Sequence, residues 1–244
     1  AVRHLQNIWT ENSISNTDVL GTEVVRQQVW NTRNRRYTNR RTVVPIPTVH
    51  ENEALATESF HGGRNEAFTF GFTDLDFWYD YDLSLAYSTG LSAIRMPDWR
   101  AMIHDLDPAH YKADCLGVAR IRFKFPEAIR FPSLPVRSDN GLIFPLEGET
   151  HAGSPEIQLA LELGAEVEIL NGRIIPWASD VRPFQAFSRN VRQNRDGFPD
   201  KSVGDRTWKE IGNSVYGKLA QGLREKRVYD SRSGTSSVLP RSAI

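Results

Sequence analysis

The stretch WKEIGNSVYGKLAQG, residues 208–222, constrains the fold because it reads as a helix interrupted by glycines. Glycine in a helix interior costs about 1 kcal/mol relative to alanine. Three glycines among good helix formers therefore require a reason in packing or binding. Gly212 and Gly217 would let another backbone or a base pair approach the helix, because neither position carries a Cβ atom.

The polar residues of the same stretch form one stripe. Lys209, Asn213 and Tyr216 follow the spacing i, i+4, i+7, which places them on one helix face. Lysine serves as a point charge toward a phosphate group. An amphipathic helix with incidental glycines would explain the apolar positions of the stretch, but it would not explain the glycines.

The charge of the chain is unevenly distributed. Its formal net charge is zero, yet no acidic residue lies between Val24 and His50. Basic edges on a neutral chain are typical of a protein that contacts a polyanion, and a solvated arginine-rich loop is the alternative. The arginines of this stretch are Arg26, Arg33, Arg35, Arg36, Arg40 and Arg41.

Several function classes are excluded by composition. The longest apolar runs are only a few residues, so no membrane span or membrane partner is expected. Cys115 is the single cysteine, which excludes an internal disulfide and a cysteine-based zinc site. A reducing compartment and the absence of a signal peptide predict a cytoplasmic protein.

The hydropathy pattern predicts a mixed chain of class α+β. Residues 43–53, with Pro45 and Pro47, are predicted to form an extended linker. The pattern predicts strands directly after Gly62-Gly63 and at residues 75–87 and 118–125. It predicts hairpins at 134–146 and 166–177, with turns at Asn140-Gly141 and Asn171-Gly172. Helices are predicted at 154–164, 183–195 and 208–222.

Carboxylates near an aromatic segment are candidates for metal binding. Asp74, Asp76, Asp80 and Asp82 lie in or beside residues 75–87, and hard divalent cations prefer carboxylate ligands. Asp80 and Asp82 would share one face of a strand. The alternative is a set of ordinary surface acids that flank an aromatic core strand.

Three segments together resemble family B DNA polymerases. KEIGNSVYGK, residues 209–218, resembles motif B of that family, K-x-x-x-N-S-x-Y-G, at every specified position. YDLSLAYSTGL, residues 81–91, is similar to motif A, in which an aspartate precedes a tyrosine by five residues. Ser88 stands where the family usually has proline. FHGGRNE, residues 60–66, is similar to the Y-x-G-G element of the protein-primed, organellar and viral branch, with Phe60 in place of tyrosine.

The resemblance implies a fold and a domain order. It implies an incomplete palm, an antiparallel sheet with helices, joined to a two-helix antiparallel fingers subdomain. The expected segments are a poorly assigned basic linker region at 1–57, the first part of the palm at 58–182, fingers at 183–225, and the start of a return to the palm at 226–244.

The resemblance also implies roles for single residues. Asp82 and the carbonyl of Leu83 would hold magnesium in a two-ion site, and Asp82 and Lys209 would be catalytic. The nucleotide-binding residues would be Leu83, Tyr87, Lys209, Asn213 and a fingers arginine, either Arg192 or Arg195. The DNA-binding residues would be Gly62, Gly63, Arg64, Tyr216, Gly217 and Lys218.

These roles imply nucleotidyl transfer from a dNTP to a primer 3′-hydroxyl on a DNA primer–template. The third motif of the family, D-T-D, does not occur in the chain, so we expect the chain to lack polymerase activity alone. Priming by a terminal protein and priming by nucleic acid both stay open. The alternative function is a non-catalytic nucleic-acid-binding remnant of a viral or mobile-element polymerase.

Overall fold

The computed structural model describes residues 1–72, 75–83, 85–138, 141–219, 226–230 and 235–239. The helices are α1 Val2–Glu11, α2 Asn16–Leu20, α3 Pro47–Glu58, α4 Ala86–Ala93, α5 Ser154–Glu162, α6 Gln185–Asp196 and α7 Val203–Leu219. The strands are β1 Thr22–Asn31, β2 Arg36–Pro45, β3 Met96–Pro97, β4 Ile103–His104, β5 Leu116–Lys124, β6 Val136–Ser138, β7 Gly141–Ile143, β8 Glu147–Gly153, β9 Glu166–Ile175, β10 Trp177–Ser179, β11 Lys226–Asp230 and β12 Thr235–Leu239. Every strand pairing among these described residues is antiparallel, and the predicted α+β class is confirmed.

The chain divides into two compact units. The first unit comprises Ala1–His50, Leu85–Pro97 and the residues from Trp177 onward. The second unit comprises Glu51–Ser84 and Asp98–Pro176. The domain boundaries inferred from the sequence stay predictions.

The second unit is built on an antiparallel sheet with the strand order β4-β9-β5-β8. Strand β5 confirms the strand predicted at 118–125, because Ala119, Ile121 and Phe123 are buried on one face. On its other face Arg122 forms an ion pair with Glu149 at 2.7 Å. Alternation of apolar and charged side chains thus directs one face of the strand into the core and the other to solvent.

Helix α5 packs on this sheet and begins close to the predicted residue. Its N-cap is Gly153, whose N–H donates to Glu156 Oε2 at 2.8 Å. The sequence predicted Ser154 as the N-cap and Pro155 as the first helical residue, whereas they are the first and second helical residues. Burial raises the pKa of the Glu156 carboxyl. Glu156 therefore has the structural role that the sequence indicates for it.

The hairpin predicted at 166–177 is wrong. Strand β9 runs without interruption through Asn171 and Gly172, and a bulge at Leu170 shifts its register against β5. Gly172 serves close packing rather than a turn: a methyl group there would overlap the Tyr111 hydroxyl and lie 2.6 Å from the Asp105 carbonyl oxygen.

The other predicted hairpin is confirmed, since β6 pairs with β7 and Ser138 lies opposite Gly141. Its proposed turn residue Asn140 lies outside the described residues. The extended linker predicted at 43–53 is wrong, because Val43 belongs to β2 and Pro47 begins α3. Proline suits a first helical position, where its fixed φ is helical and its missing N–H is not needed.

The strand predicted over 75–87 is also wrong. Its described residues up to Leu83 have no regular secondary structure, and α4 begins at Ala86. The strand predicted directly after Gly62-Gly63 is absent as well, since residues 64–72 have no helix or strand. Strands need a neighbour to satisfy their backbone N–H and C=O groups, and alternation in sequence does not supply one.

The first unit is a cluster of helices around a separate apolar core. Helix α6 confirms the helix predicted at 183–195, and α7 confirms the predicted stretch from residue 208 as far as Leu219. The Trp9 indole N–H donates to the Pro183 carbonyl oxygen at 2.7 Å, which ties α1 to the start of α6. None of the described helices is both long and apolar enough to cross a membrane. The buried core residues are Leu5, Ile8, Trp9, Val19, Phe184, Phe187, Val191 and Val215.

Candidate functional site

Helix α7 presents the predicted polar stripe. Because the segment is helical throughout Val203–Leu219, Lys209, Asn213 and Tyr216 lie on one face. Lys209 is exposed, whereas Asn213 and Tyr216 are half-buried. At about 1.5 Å per residue, the stripe extends roughly 10 Å along the helix axis from Lys209 to Tyr216.

A tyrosine of another helix stacks on this stripe. Tyr87, in the first turn of α4, lies parallel to Tyr216 with ring centroids 4.2 Å apart and an interplanar angle of 13°. Burial, together with the neighbouring Tyr87 hydroxyl, raises the pKa of Tyr216. The stack joins residues of motif A and motif B that are far apart in sequence, and sequence analysis did not predict this contact.

Gly212 is a packing residue: of the two approaches expected there, that of another backbone and that of a base pair, the structure shows the close approach of neighbouring helices. It is buried, and a Cβ atom there would lie 3.1 Å from Ser88 Oγ and 3.2 Å from Val191 Cγ1. The missing side chain lets α4 and α6 approach α7. Gly217 differs, because it is exposed and a Cβ atom there would meet nothing within 4 Å. Gly222 lies outside the described residues.

Ser88, the departure from the usual motif A proline, has a defined place in this packing. Only 2% of the residue is exposed, and its side chain lies against Gly212. Its carbonyl oxygen accepts a hydrogen bond from Ser188 Oγ at 2.7 Å. The contact with α6 is thus made by the backbone of residue 88, and the contact with α7 by its small side chain, whose buried hydroxyl has no hydrogen-bond partner among the described residues.

The two candidate arginines of α6 differ in their surroundings. Arg195 Nε donates to Asp205 Oδ1 at 2.5 Å, and the Arg195 side chain is only 20% exposed. This guanidinium lowers the pKa of the Asp205 carboxyl, which also accepts a hydrogen bond from the Lys201 backbone N–H at 3.1 Å. The Arg192 side chain is 76% exposed, and Asp196 lies 4.0 Å from its Nε. Arg195 is therefore held within the unit, whereas Arg192 is accessible.

The predicted metal ligands lie in the second unit. Asp82 and Leu83 are exposed and belong to a segment with no helix or strand, as does Asp80. Tyr87 and α7, by contrast, belong to the first unit. Within the described residues, no group of three or more His, Cys, Asp or Glu side chains is arranged to hold a metal ion. Of the four candidate carboxylates, Asp76, Asp80 and Asp82 are exposed in this segment, and Asp74 lies outside the described residues.

The Gly62-Gly63 element also lies in the second unit. A Cβ atom at Gly62 or Gly63 would meet nothing within 4 Å, so the backbone there is open to a ligand. The Arg64 side chain is occupied: it donates to the Pro132 carbonyl oxygen at 2.8 Å, and its guanidinium carbon lies 4.0 Å from the Phe144 ring centroid. A DNA contact by Arg64 would compete with these interactions.

Comparison with known proteins gives one match that extends over the whole chain. The chain is 42% identical over 253 aligned residues to the primer-independent DNA polymerase PolB of Escherichia coli, and it spans 29% of that protein's length. No family model matches the chain.

Two solved structures show partial similarity. One is a phi29 DNA polymerase complexed with primer–template DNA and incoming nucleotide substrates, with 15% identity and a TM-score of 0.41 over 65% of this chain and 29% of that one. The other is the orthorhombic crystal form of phi29 DNA polymerase, with 18% identity and a TM-score of 0.39 over 53% of this chain and 25% of that one. The sequence relationship to PolB confirms the resemblance carried by motifs A and B: along its whole length, the chain is related to part of a PolB DNA polymerase.

Proposed function

We propose that the chain is a segment of a DNA-directed DNA polymerase that binds an incoming dNTP and a DNA primer–template. The reaction forms a bond between the primer 3′-oxygen and the α-phosphorus of the dNTP, and pyrophosphate leaves. The observation that carries the proposal is the Tyr87–Tyr216 stack, because it brings the motif A tyrosine onto the motif B face of α7. The relationship to PolB supports the same function.

The face of α7 suits a nucleotide. Lys209 is exposed and can place its ammonium group on the triphosphate, where it can also protonate the leaving pyrophosphate. Asn213, four residues later, is half-buried and would line the nucleotide pocket. Tyr87 would lie beneath the deoxyribose, since the stack on Tyr216 fixes its ring plane. Charge stabilisation and positioning would provide most of the catalysis.

The second fingers cation is Arg192 in this proposal. Phosphate binding by Arg195 would break its ion pair with the buried Asp205 carboxylate. Removing one partner of a buried pair leaves an uncompensated charge, which is costly. Arg192 has no such cost, because its side chain is mostly solvent-exposed.

The same proposal assigns residues to the DNA and to the metal ions. Gly217 and Lys218, both exposed, would contact the template strand beside Tyr216, and Gly62-Gly63 would touch the template path. Asp82 and the Leu83 carbonyl would hold Mg²⁺, which when bound would neutralise charge on the reacting phosphates. Because the described residues provide only part of a two-ion site, the chain alone is expected to be inactive.

Replacing Tyr87 by alanine tests the proposed nucleotide pocket. In the full-length protein encoded by the reading frame that contains this chain, the substitution should reduce discrimination against ribonucleotides on the order of 10²-fold. The reason is that the ring beneath the sugar no longer excludes a 2′-hydroxyl. The measurement is the ratio of kcat/KM for a dNTP to that for the matching rNTP.

Tyr87→Phe is the matched control, because it keeps the ring and its stack on Tyr216. It should retain the discrimination of the unmodified protein. An unchanged ratio in Tyr87→Ala would contradict the assignment of Tyr87 to the sugar.

A further inference from the structure

A two-stranded ribbon, β1–β2, carries a surface that the proposed nucleotide site does not use. The strands pair over ten positions, with Arg26 opposite Arg41 and Trp30 opposite Tyr37. Successive strand residues point to opposite faces, so these pairs share one face. This ribbon face consists of Val24, Arg26, Gln28, Trp30, Tyr37, Asn39, Arg41 and Val43.

Burial distinguishes the two faces of the ribbon. All eight residues of the ribbon face are exposed, including Trp30 at 49% and Tyr37 at 65%. On the opposite face, Val25, Thr42 and Val44 at the base of the ribbon are half-buried, whereas its exposed residues lie nearer the tip: Gln27, Val29, Arg36 and Arg40. A two-stranded hairpin alone is only marginally stable in water, and a cluster of exposed aromatic and aliphatic side chains on it indicates a binding surface.

The charge of the ribbon face fits a polyanion. Like charges directly opposite each other on paired strands are destabilising, and Arg26 and Arg41 form such a pair. The ribbon from Val24 to its end has no carboxylate of its own to offset them. Phosphate groups bound between the two guanidinium groups would remove this repulsion.

The aromatic pair fits unpaired bases. The Trp30 and Tyr37 rings contact edge to face, with centroids 5.2 Å apart and an interplanar angle of 68°. Exposed aromatic rings bind single strands by stacking on bases, which are free to stack only where the duplex is open. At about 3.3 Å per residue, the aromatic pair lies roughly 13 Å along the ribbon from the arginine pair, with the amides of Gln28 and Asn39 between them.

The turn at the tip of the ribbon is fixed. Asn31 Oδ1 accepts hydrogen bonds from the backbone N–H groups of Arg33 and Asn34 at 3.0 and 3.1 Å. Arg35 has a φ of 44°, in the left-handed region. The turn therefore holds the aromatic pair in place without a bound ligand, which reduces the entropy lost on binding.

We propose that the ribbon face binds single-stranded DNA, with unpaired bases stacked on the rings of Trp30 and Tyr37, one base to each ring, and phosphates held by Arg26 and Arg41. The choice of DNA among polyanions rests on the proposed polymerase function. Stacking selects a single strand over a duplex, whereas charge adds affinity for either, and both interactions are independent of the nucleotide site on α7.

The test is fluorescence anisotropy of a labelled oligothymidylate with the full chain, titrated at several salt concentrations. Arg26→Gln/Arg41→Gln should weaken binding at least about tenfold and reduce the magnitude of the log-log salt slope by about 1.4, since two phosphate contacts are lost. Trp30→Ala should weaken binding by about five- to a hundredfold through lost stacking. Circular dichroism and the Tm of each variant report whether it remains folded.

Arg36→Gln/Arg40→Gln is the matched control, because it removes the same charge from the opposite face of the same ribbon. It should bind within about threefold of the unmodified chain. Equal losses in the two double variants, tighter binding of a duplex of the same length, or no effect of Trp30→Ala in a folded protein would each overturn the proposal.

Primer extension by the full-length protein separates this inference from the proposed function. Normal extension together with ribbon variants that bind like the unmodified chain would overturn the ribbon site and leave the function standing. Absence of extension together with ribbon-dependent binding of the oligonucleotide would overturn the function and support the ribbon site.

Discussion

Replacing Asp82 by asparagine is expected to lower the rate of templated nucleotide incorporation by the full-length protein at least about 10³-fold. In the proposed function, Asp82 is the motif A carboxylate that holds Mg²⁺, and an amide at this position keeps the shape of the side chain but removes its charge. A neutral ligand would hold a divalent cation much more weakly. The measurement is single-turnover extension of a labelled primer at saturating dNTP.

Asp80→Asn is the matched control for this substitution. Asp80 and Asp82 are both exposed and lie in the same segment without regular structure, so each change removes one surface charge and neither should alter the Tm. We expect near-normal extension by Asp80→Asn. Equal defects in the two variants would mean that the negative charge of the segment matters rather than the single carboxylate of Asp82.

Replacing Gly172 by alanine is expected to lower the free energy of unfolding by about 3 kcal/mol. The added methyl group would overlap the Tyr111 hydroxyl and lie 2.6 Å from the Asp105 carbonyl oxygen. Tyr111 is buried and donates a hydrogen bond to that same oxygen at 2.7 Å, so neither neighbour can move without breaking the contact. Urea denaturation followed by circular dichroism measures the change.

Gly63→Ala is the control in the same unit, because a Cβ atom at Gly63 would meet nothing within 4 Å. Its free energy of unfolding should lie within about 0.5 kcal/mol of that of the unmodified chain. A Gly172→Ala variant as stable as Gly63→Ala would contradict the close packing of β9 against Tyr111.

Gly172 also shows what local sequence rules miss. Asn-Gly is a strong hairpin signal, because both residues tolerate the left-handed conformations of a tight turn. In this chain the glycine instead provides space for Tyr111, a residue far away in sequence. Strand β5 was predictable because its apolar and charged side chains alternate, so that the apolar ones face the core and the charged ones face the solvent.

The candidate site likewise contains features that the sequence predicts and features that it does not. The stripe of Lys209 and Asn213 was predictable, since helical periodicity alone places these residues on one face. The stack of Tyr87 on Tyr216 was not, because it depends on α4 packing against α7 at Gly212. For residues 75–83, an alternating pattern predicted a strand where the structure has none, since pairing depends on a neighbouring strand as well as on the pattern.

The most direct test of the polymerase assignment is templated single-nucleotide incorporation by the full-length protein with Mg²⁺. Each of the four dNTPs is supplied separately to a primer–template whose next template base is known, and then to the same primer with that base changed. We expect the primer to be extended only by the complementary dNTP, and the preferred dNTP to change with the template base. DNA binding without extension, or extension that ignores the template base, would contradict it.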